Sequence, residues 1–482
     1  MNESANGTGG PQTRIAILGG GPAGVAGAYK LSQRPGITVD LYERGPRVGG
    51  NSASFDMDGV HCDFGSHRFH PVADPNIIAD VKAILGEDLL LRPRHGRIRL
   101  GGQWIHFPLK PLDAMLRLPK KFAISLFADM LLKPLRGKPD GPPTFASTLK
   151  AGLGPTISEQ FYFPYVEKLW GLKPEELAVE LAERRVSGSS VGKILTKMAS
   201  QLPGLRSPTA GKFYYPRKGF GQIISDMAEQ AAGQGANLIL NAEIKGVELS
   251  DGRASTIVVE KDGQEQRVIY DHIWSTIPIS LLIRMLGEAA PPPVQEAAAS
   301  VKSRGMILIY LILEQDQFTE YDAHYFPELS IPVSRMSEPK NYSNTKEPKG
   351  VTILCAELPA DPGDRYWQMS DEELGANFAK WLGELGLPVK ATIRRTETRR
   401  LAHAYPVYNL GYEDKFRRMD EWLDGIDGLL TYGRQGLFAH DNTHHAFAMA
   451  YGAVASLRDD GTFDRAAWAE RRREFESHVV ED

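Results

Sequence analysis

Arg14 to Asn51 reads RIAILGGGPAGVAGAYKLSQRPGITVDLYERGPRVGGN, and the order of its residue types decides the fold. An apolar run, Ile15 to Leu18, enters a Gly-x-Gly-x-x-Gly turn at Gly19, Gly21 and Gly24. A helical stretch follows, and a second apolar run, Ile37 to Tyr42, ends on Glu43. This order predicts a βαβ unit that holds a dinucleotide. Gly19 permits the tight turn, Gly21 lets backbone approach a pyrophosphate, and Gly24 lets the helix lie close on the strand. The helix N-terminus adds unpaired N–H groups and the positive end of its dipole. Glu43 stands where a carboxylate accepts hydrogen bonds from an adenosine ribose. Gly19, Gly21, Pro22, Ala23, Gly24, Glu43 and Arg44 are the expected nucleotide contacts.

The next residues bear on which dinucleotide. Arg47-Val48-Gly49-Gly50-Asn51 places a second glycine pair just beyond the acid, where a flavin's diphosphate and ribityl chain also need close backbone approach. A nicotinamide enzyme has no evident need for it. This pair resembles the large family of FAD enzymes that includes amine oxidases, protoporphyrinogen oxidase, phytoene desaturases and UDP-galactopyranose mutase. The resemblance implies FAD, with Gly49, Gly50 and Asn51 among its contacts.

With 482 residues the chain is long enough for two or three domains. A net charge of −4 gives no global attraction to nucleic acid or to an anionic membrane. The two cysteines, Cys62 and Cys355, form no metal-ligand spacing and read as reduced, partly buried thiols, which suits a cytoplasmic protein. The first residues, MNESANGTGGPQTR, are polar and glycine-rich without an apolar core, so they read as a disordered leader and not a signal peptide. No stretch approaches the ~20 apolar residues of a membrane span.

Nucleotide-domain signals recur late in the chain. Gln222 to Gly233 reads as a helix, Asn237 to Asn241 as a strand, and Ile244 to Leu249 with Ala254 to Lys261 as a hairpin split by Asp251-Gly252. Tyr270 to Thr276 is a further apolar strand, and Gly428 to Arg434 a strand entering a turn. Expected boundaries are a leader over 1–12, nucleotide-binding pieces over 13–109, 206–285 and 425–482, a helical region over 110–205, and a substrate domain over 286–424. Residues 110–137 combine clustered Lys and Arg with apolar positions. They read as a packed lid or domain helix with a solvated basic face, a membrane-surface helix being the alternative.

Residues 62–71, CDFGSHRFHP, place Gly65, Ser66, His67 and His70 in one loop. Two histidines three apart invite a metal, but no third ligand cluster accompanies them, so the expected metal complement is none. Gly65-Ser66-His67-Arg68-Phe69-His70 resembles the Gly-x-His-x-Phe-His of UDP-galactopyranose mutases, which makes Ser66 and His67 expected flavin neighbours, His67 as a neutral hydrogen-bonding group. Phe161, Tyr162, Tyr165 and Trp170, within FYFPYVEKLWG, resemble the mutase segment bordering uridine. Such an aromatic cluster stacks on a planar base, or else serves as helix core.

Arg185 and Arg335 are similar to the mutase arginines presented to a substrate diphosphate, where planar guanidinium forks match phosphate oxygens. Tyr405 of Ala404-Tyr405-Pro406-Val407 matches a phenol on the same diphosphate. Gly433 and Arg434 match the C-terminal flavin motif. At His440 the mutases carry a second substrate tyrosine.

The resemblance, over roughly residues 14–457, implies an α/β protein with a Rossmann-like FAD domain of the glutathione-reductase type, a mixed α+β substrate domain and a helical insertion. It implies a mutase-like interconversion of pyranose and furanose forms of a nucleotide-activated sugar through reduced flavin N5. Arg185, Arg335, His67, Tyr405 and His440 would be the catalytic set, and external NAD(P)H the reductant, since no second Gly-x-Gly-x-x-Gly fingerprint is present. The alternative is an FAD oxidase or dehydrogenase acting on an amine or a hydrophobic substrate, with the aromatics lining an apolar tunnel. Neither nucleic acid nor membrane is an expected partner, and the sequence leaves the oligomeric state open.

Overall fold

The computed structural model describes residues 12–108, 113, 116–133, 141–185, 209 and 211–480. The expected leader lies outside them except for residue 12, as do parts of 110–137 and 186–208.

The opening motif folds as its residue order requires. Strands Thr13–Leu18 and Ile37–Tyr42 are parallel and joined by helix Pro22–Leu31, which begins with proline at its first position. Three further parallel strands complete the sheet in the order Leu429–Thr431, His272–Ser275, Thr13–Leu18, Ile37–Tyr42, Asn237–Ile239. Ile15 and Ile17 face a core built with helices Pro22–Leu31, Gln222–Gly233 and Thr443–Ala455. Ala16 and Leu18 face a second core, built with antiparallel strands and helix Ile279–Leu286. Both faces are covered, which is why these strands read as unbroken apolar runs.

Those antiparallel strands are Ala242–Ser250, Arg253–Lys261 and Gln264–Ile269. Asp251 and Gly252 both have positive φ, 51° and 79°, as a two-residue hairpin turn of matching twist requires. Asp262-Gly263 repeats the device at 52° and 74°. It leads into Gln264–Ile269, a strand absent from the sequence reading because its side chains are mostly exposed and lack apolar alternation.

The second large sheet is mixed, with seven strands in the order Ile393–Pro406, Ser303–Leu313, Thr352–Pro359, Arg335–Ser337, Ala323–Tyr325, Gly96–Leu100, Gln103–Phe107. Here the expected boundary at 109 needs correction. Gly96–Leu100 and Gln103–Phe107 join this sheet by pairing with Ala323–Tyr325, not the nucleotide-binding sheet. Their alternation, with Ile98, Leu100 and Ile105 buried, marks them as strands but cannot name a partner so far along the chain.

The helical region contains Lys120–Leu132, Phe145–Leu153, a continuous run over Pro155–Trp170, and Val179–Arg185. Thr144 and Ser147 form a capping box at the start of Phe145–Leu153. The packed-lid reading of 110–137 is corrected in part: Phe122 is buried, yet Leu116, Ile124, Phe127, Leu131 and Leu132 are exposed. Among the described residues, no helix is long and apolar enough to cross a membrane.

Candidate functional site

Three glycine-bearing turns meet at the N-terminus of helix Pro22–Leu31. Gly19 has φ +104°, and a Cβ on Gly24 would sit 1.9 Å from the Gly19 carbonyl oxygen, so helix and turn touch where both lack side chains. The Gly49 N–H donates to the Gly20 carbonyl at 2.7 Å, fastening the second glycine pair onto the first turn. Gly433, at φ +81°, lies against Ala23, where a Cβ would come within 2.6 Å of the alanine methyl. Gly21 differs from all of these. A Cβ there would meet nothing within 4 Å, so no protein neighbour demands the glycine, and the space before the helix N-terminus stays open. The residues present therefore fit a dinucleotide such as FAD.

Glu43 does more than the sequence suggested. Its carboxylate accepts the Gly20 N–H at 2.9 Å and the Gly45 N–H at 2.7 Å, bracing the turn while leaving lone pairs for a ribose. Arg44 beside it is exposed. Asn51 donates its side-chain amide to the His403 carbonyl at 3.2 Å, tying the cradle to strand Ile393–Pro406.

Beyond the cradle lies a pocket lined by Asn51, Ser66, His67, Arg185, Arg335, Tyr405, Arg434 and His440, together with Arg68, Glu357 and Asp441. Four guanidinium groups thus face two carboxylates around one cavity. The arginines come from a loop, a helix end, a strand and the turn after Leu429–Thr431, which is why no local spacing in the sequence announces them as a group.

His67 stacks on Phe220 at 5.2 Å, and its Nδ1 is buried without a hydrogen-bond partner. Burial first, with Arg335 and Arg434 adding to it against the opposing pull of Glu357, brings its pKa down to about 4, so the ring is neutral near pH 7. His70 does not converge with it: its Nδ1 contacts the Arg94 guanidinium at 2.9 Å. Ser66 donates its backbone N–H to Glu357 at 2.7 Å and leaves its hydroxyl unpartnered.

Arg335 enters the pocket as a paired group. Its Nε and Nη2 donate to the two oxygens of Glu357 at 3.0 and 2.8 Å, in a bidentate arrangement that is almost fully buried. Arg185 lies 5.3 Å from the centre of the Trp170 ring, and Arg434 lies 5.0 Å from that of Tyr405 while donating to the Ala404 carbonyl at 2.8 Å. Tyr405 stacks on His440 at 5.4 Å. His440 donates from Nε2 to the Pro406 carbonyl at 3.1 Å, and burial, with Arg185 and Arg434 nearby, holds its pKa well below the usual imidazole value. It is thus a fixed neutral wall of the pocket.

The aromatic segment divides. Trp170 reaches the pocket wall, 5.2 Å from His440 and 6.3 Å from Tyr405. Phe161, Tyr162 and Tyr165 form their own cluster, Phe161 lying 4.7 Å from Tyr162 and nearly parallel to Tyr165 at 6.3 Å, and do not line the pocket. A π turn over Ser158–Tyr162 explains why these residues fall on no single α-helical face. Lys168, in the same motif, donates to the carbonyls of Phe326 and Glu328, both at 2.5 Å, and of Val333 at 3.1 Å. It holds the loop that delivers Arg335.

Sequence reasoning missed Glu357, Arg68 and Asp63. Arg68 donates to the Tyr325 and Tyr342 hydroxyls at 2.9 and 3.1 Å. Asp63 accepts from Ser54 at 2.5 Å, Tyr215 at 2.6 Å and the Phe220 N–H at 2.9 Å, and burial raises its pKa to about 6. Arg68 and Asp63 flanked the singled-out histidines, but their partners lie far away in sequence.

Comparison with known proteins agrees with this architecture. Residues 22–456 match the family described as flavin containing amine oxidoreductase, and the chain belongs to that family. Protoporphyrinogen oxidase 2 of Arabidopsis thaliana, chloroplastic/mitochondrial, is 23% identical over 467 residues, 87% of this chain and 89% of that protein. A reduced UDP-galactopyranose mutase structure superposes with TM-score 0.79 at 21% identity, covering 98% of this chain and 100% of the other. Cyclohexylamine oxidase from Brevibacterium oxydans IH-35A superposes with TM-score 0.62 at 16% identity, covering 97% and 100%. The protein is a flavin-dependent enzyme of this family.

Proposed function

We propose that the protein performs a mutase-like pyranose–furanose isomerisation on a nucleotide-activated sugar. The observation that carries this reading is the pocket's charge: Arg68, Arg185, Arg335 and Arg434 outnumber Glu357 and Asp441 there. With the pocket histidines neutral, the excess is positive, which suits an anionic diphosphate and opposes an alkylammonium. FAD, when bound and reduced, supplies the nucleophilic N5.

The chain supplies position and charge. Gly19, Gly21, Pro22, Ala23, Gly24, Glu43, Arg44, Gly49, Gly50, Asn51, Ser66, Gly433 and Arg434 hold the dinucleotide in a glutathione-reductase-type arrangement. Arg185 and the outer N–H groups of Arg335 engage the diphosphate, Tyr405 donates its phenol to it, and His67 offers an uncharged hydrogen bond near the reacting carbon. Trp170 closes the wall, with Phe161, Tyr162 and Tyr165 toward the base. Pieces 13–95, 211–285 and 425–480 form the nucleotide half, and external NAD(P)H reduces the flavin. Two buried, unpaired thiols suit a reducing cytoplasm.

One observation favours a second reading, an FAD oxidase or dehydrogenase: Glu357 neutralises Arg335 and so weakens its hold on a diphosphate. The test is to incubate dithionite-reduced holoenzyme with a panel of UDP-sugars and look for furanose product by NMR. Furanose formation that needs reduced flavin is expected. No isomerisation, alongside flavin reduction by an amine, a porphyrinogen or a polyene, replaces the mutase reading with the oxidase one.

A further inference from the structure

Behind the pocket wall, the pocket carboxylate Asp441 meets two histidines that have no part in the chemistry above. Asp441 precedes Asn442, the N-cap of helix Thr443–Ala455. His445 lies in that helix's first turn, and His478 follows helix Arg465–Glu476. The donor atoms of Asp441, His445 and His478 all lie within 4.8 Å of one another. The Asp441 side chain is 0% exposed, and neither of its oxygens has a hydrogen-bond partner. Burying a carboxylate this completely is unfavourable unless a cation or a set of donors compensates.

The histidines facing that carboxylate hold it only by long contacts. Nδ1 of His445 is 3.5 Å from one oxygen, and Nδ1 of His478 is 3.9 Å from the other. The Asn442 N–H donates to His445 Nδ1 at 3.2 Å, so that nitrogen presents a lone pair and not a proton. His478 Nδ1 is buried without a hydrogen-bond partner. The two imidazoles stack at 4.2 Å and 15°, a spacing at which two positive rings would repel. Arg184 and Arg434 add favourable charge from nearby, but neither donates to Asp441. Two orphaned oxygens and two imidazole nitrogens thus converge on one point.

We propose that Asp441, His445 and His478 bind one divalent cation of the zinc class, at a site that shares Asp441 with the pocket lining and takes its two histidines from outside it. Two nitrogens and a carboxylate are a donor set that zinc and its first-row neighbours accept. Donors ~2.1 Å from a tetrahedral ion stand about 3.4 Å apart, and the donors here, 3.5 and 3.9 Å between carboxylate and imidazoles and within 4.8 Å overall, would draw together on binding. His445 and His478 also line an open cleft of about 1140 Å³, which gives the ion an entry path and a water as fourth ligand. Binding displaces the long Asn442 contact and fastens the segment after Glu476 to the helix whose approach carries His440 and Asp441.

The test uses chelator-treated holoenzyme titrated with Zn²⁺ by calorimetry, with bound metal counted by mass spectrometry after gel filtration. One Zn²⁺ per chain and a raised Tm are expected, with His478→Ala and the gentler His478→Gln each weakening binding at least ~10-fold. Circular dichroism confirms that each variant is folded. Absence of saturable binding, or binding unchanged in both His478 variants and in His445→Gln, overturns the proposal, since the ions would then sit on unrelated surface histidines.

Discussion

The glycine cradle and the arginine pocket sit side by side and are built on opposite principles. The cradle works by omission: Gly19, Gly24, Gly49 and Gly433 remove side chains so that backbone segments touch, and Gly21 removes one so that a ligand can approach. The pocket works by concentration, gathering charged groups from five separate stretches of chain, one arginine of them paired to a buried glutamate and the excess left positive. A cradle position is therefore intolerant of any added atom. A pocket position is intolerant mainly of a change that leaves a charge unpartnered.

The sharpest way to break this contrast is within the cradle itself. Gly24→Val is expected to abolish folding or flavin retention, because its Cβ would collide with the Gly19 carbonyl 1.9 Å away. Gly21→Ala, whose Cβ meets no protein atom, is expected to fold normally as apoprotein and yet bind FAD at least tenfold more weakly. Thermal melts of apoprotein and flavin-to-protein absorbance ratios separate the two. Equal loss of apoprotein stability in both variants would erase the distinction.

On the pocket side, Arg335→Ala leaves Glu357 buried with a lone Ser66 N–H contact, and should cost about 3–5 kcal/mol of stability. Arg335→Ala combined with Glu357→Gln should recover much of that stability without recovering activity. A double-mutant cycle by urea denaturation, run beside kcat/KM, checks both halves.

The pocket's neutral histidines set the pH response. His67 is held near pKa 4 in the folded protein against about 6.5 when unfolded. Below pH ~6.5 the unfolded chain binds the extra proton first, so stability falls as pH drops toward 4, by up to about 3 kcal/mol for this group alone. His70, His440 and His444 shift in the same direction. Asp63, raised to about 6, acts oppositely: its contribution is present below pH 3.8 and lost as pH rises through 6. Glu338, Glu413 and Asp420 shift as Asp63 does, and His272, His324 and His403 as His67 does, so seven histidines stand against four carboxylates, and the urea midpoint is expected to be lower at pH 5 than at pH 7.5, with His67→Phe flattening part of that slope.

The smallest effect is expected at Tyr405→Phe. The phenol has no hydrogen bond that holds the fold together, so Tm should move by less than about 1 °C, equivalent to a few tenths of a kcal/mol. On the mutase reading KM for the nucleotide sugar rises while the flavin spectrum is unchanged. A Tyr405→Phe enzyme with wild-type KM would remove the phenol from the substrate site.

How much of this was legible follows the same contrast. Four of the five parallel strands could be found because they are largely buried on both faces and read as apolar runs, the edge strand Asn237–Ile239 being only partly covered, and the Asp251-Gly252 turn could be found because its backbone demands those residues. The sheet assignment of Gly96–Phe107 could not, since alternation fixes a strand's faces and not its neighbour. Arg335, Tyr405 and Arg185, singled out from the sequence, line one cavity, but Glu357 was invisible beside them. A glutamate on a buried strand carries no local mark until the partner that neutralises it is known.

The sequence by itself determined the dinucleotide turn, its helix and the strands that flank them, because those depend on residue types at fixed short separations. Only the tertiary structure decided that Arg335 is paired, that His440 bonds the Pro406 carbonyl, that Lys168 holds a loop, and that Asp441 meets His445 and His478. Backbone geometry is written locally. Charge balance in a low-dielectric interior is a property of whichever distant groups the fold brings within a few ångströms of one another.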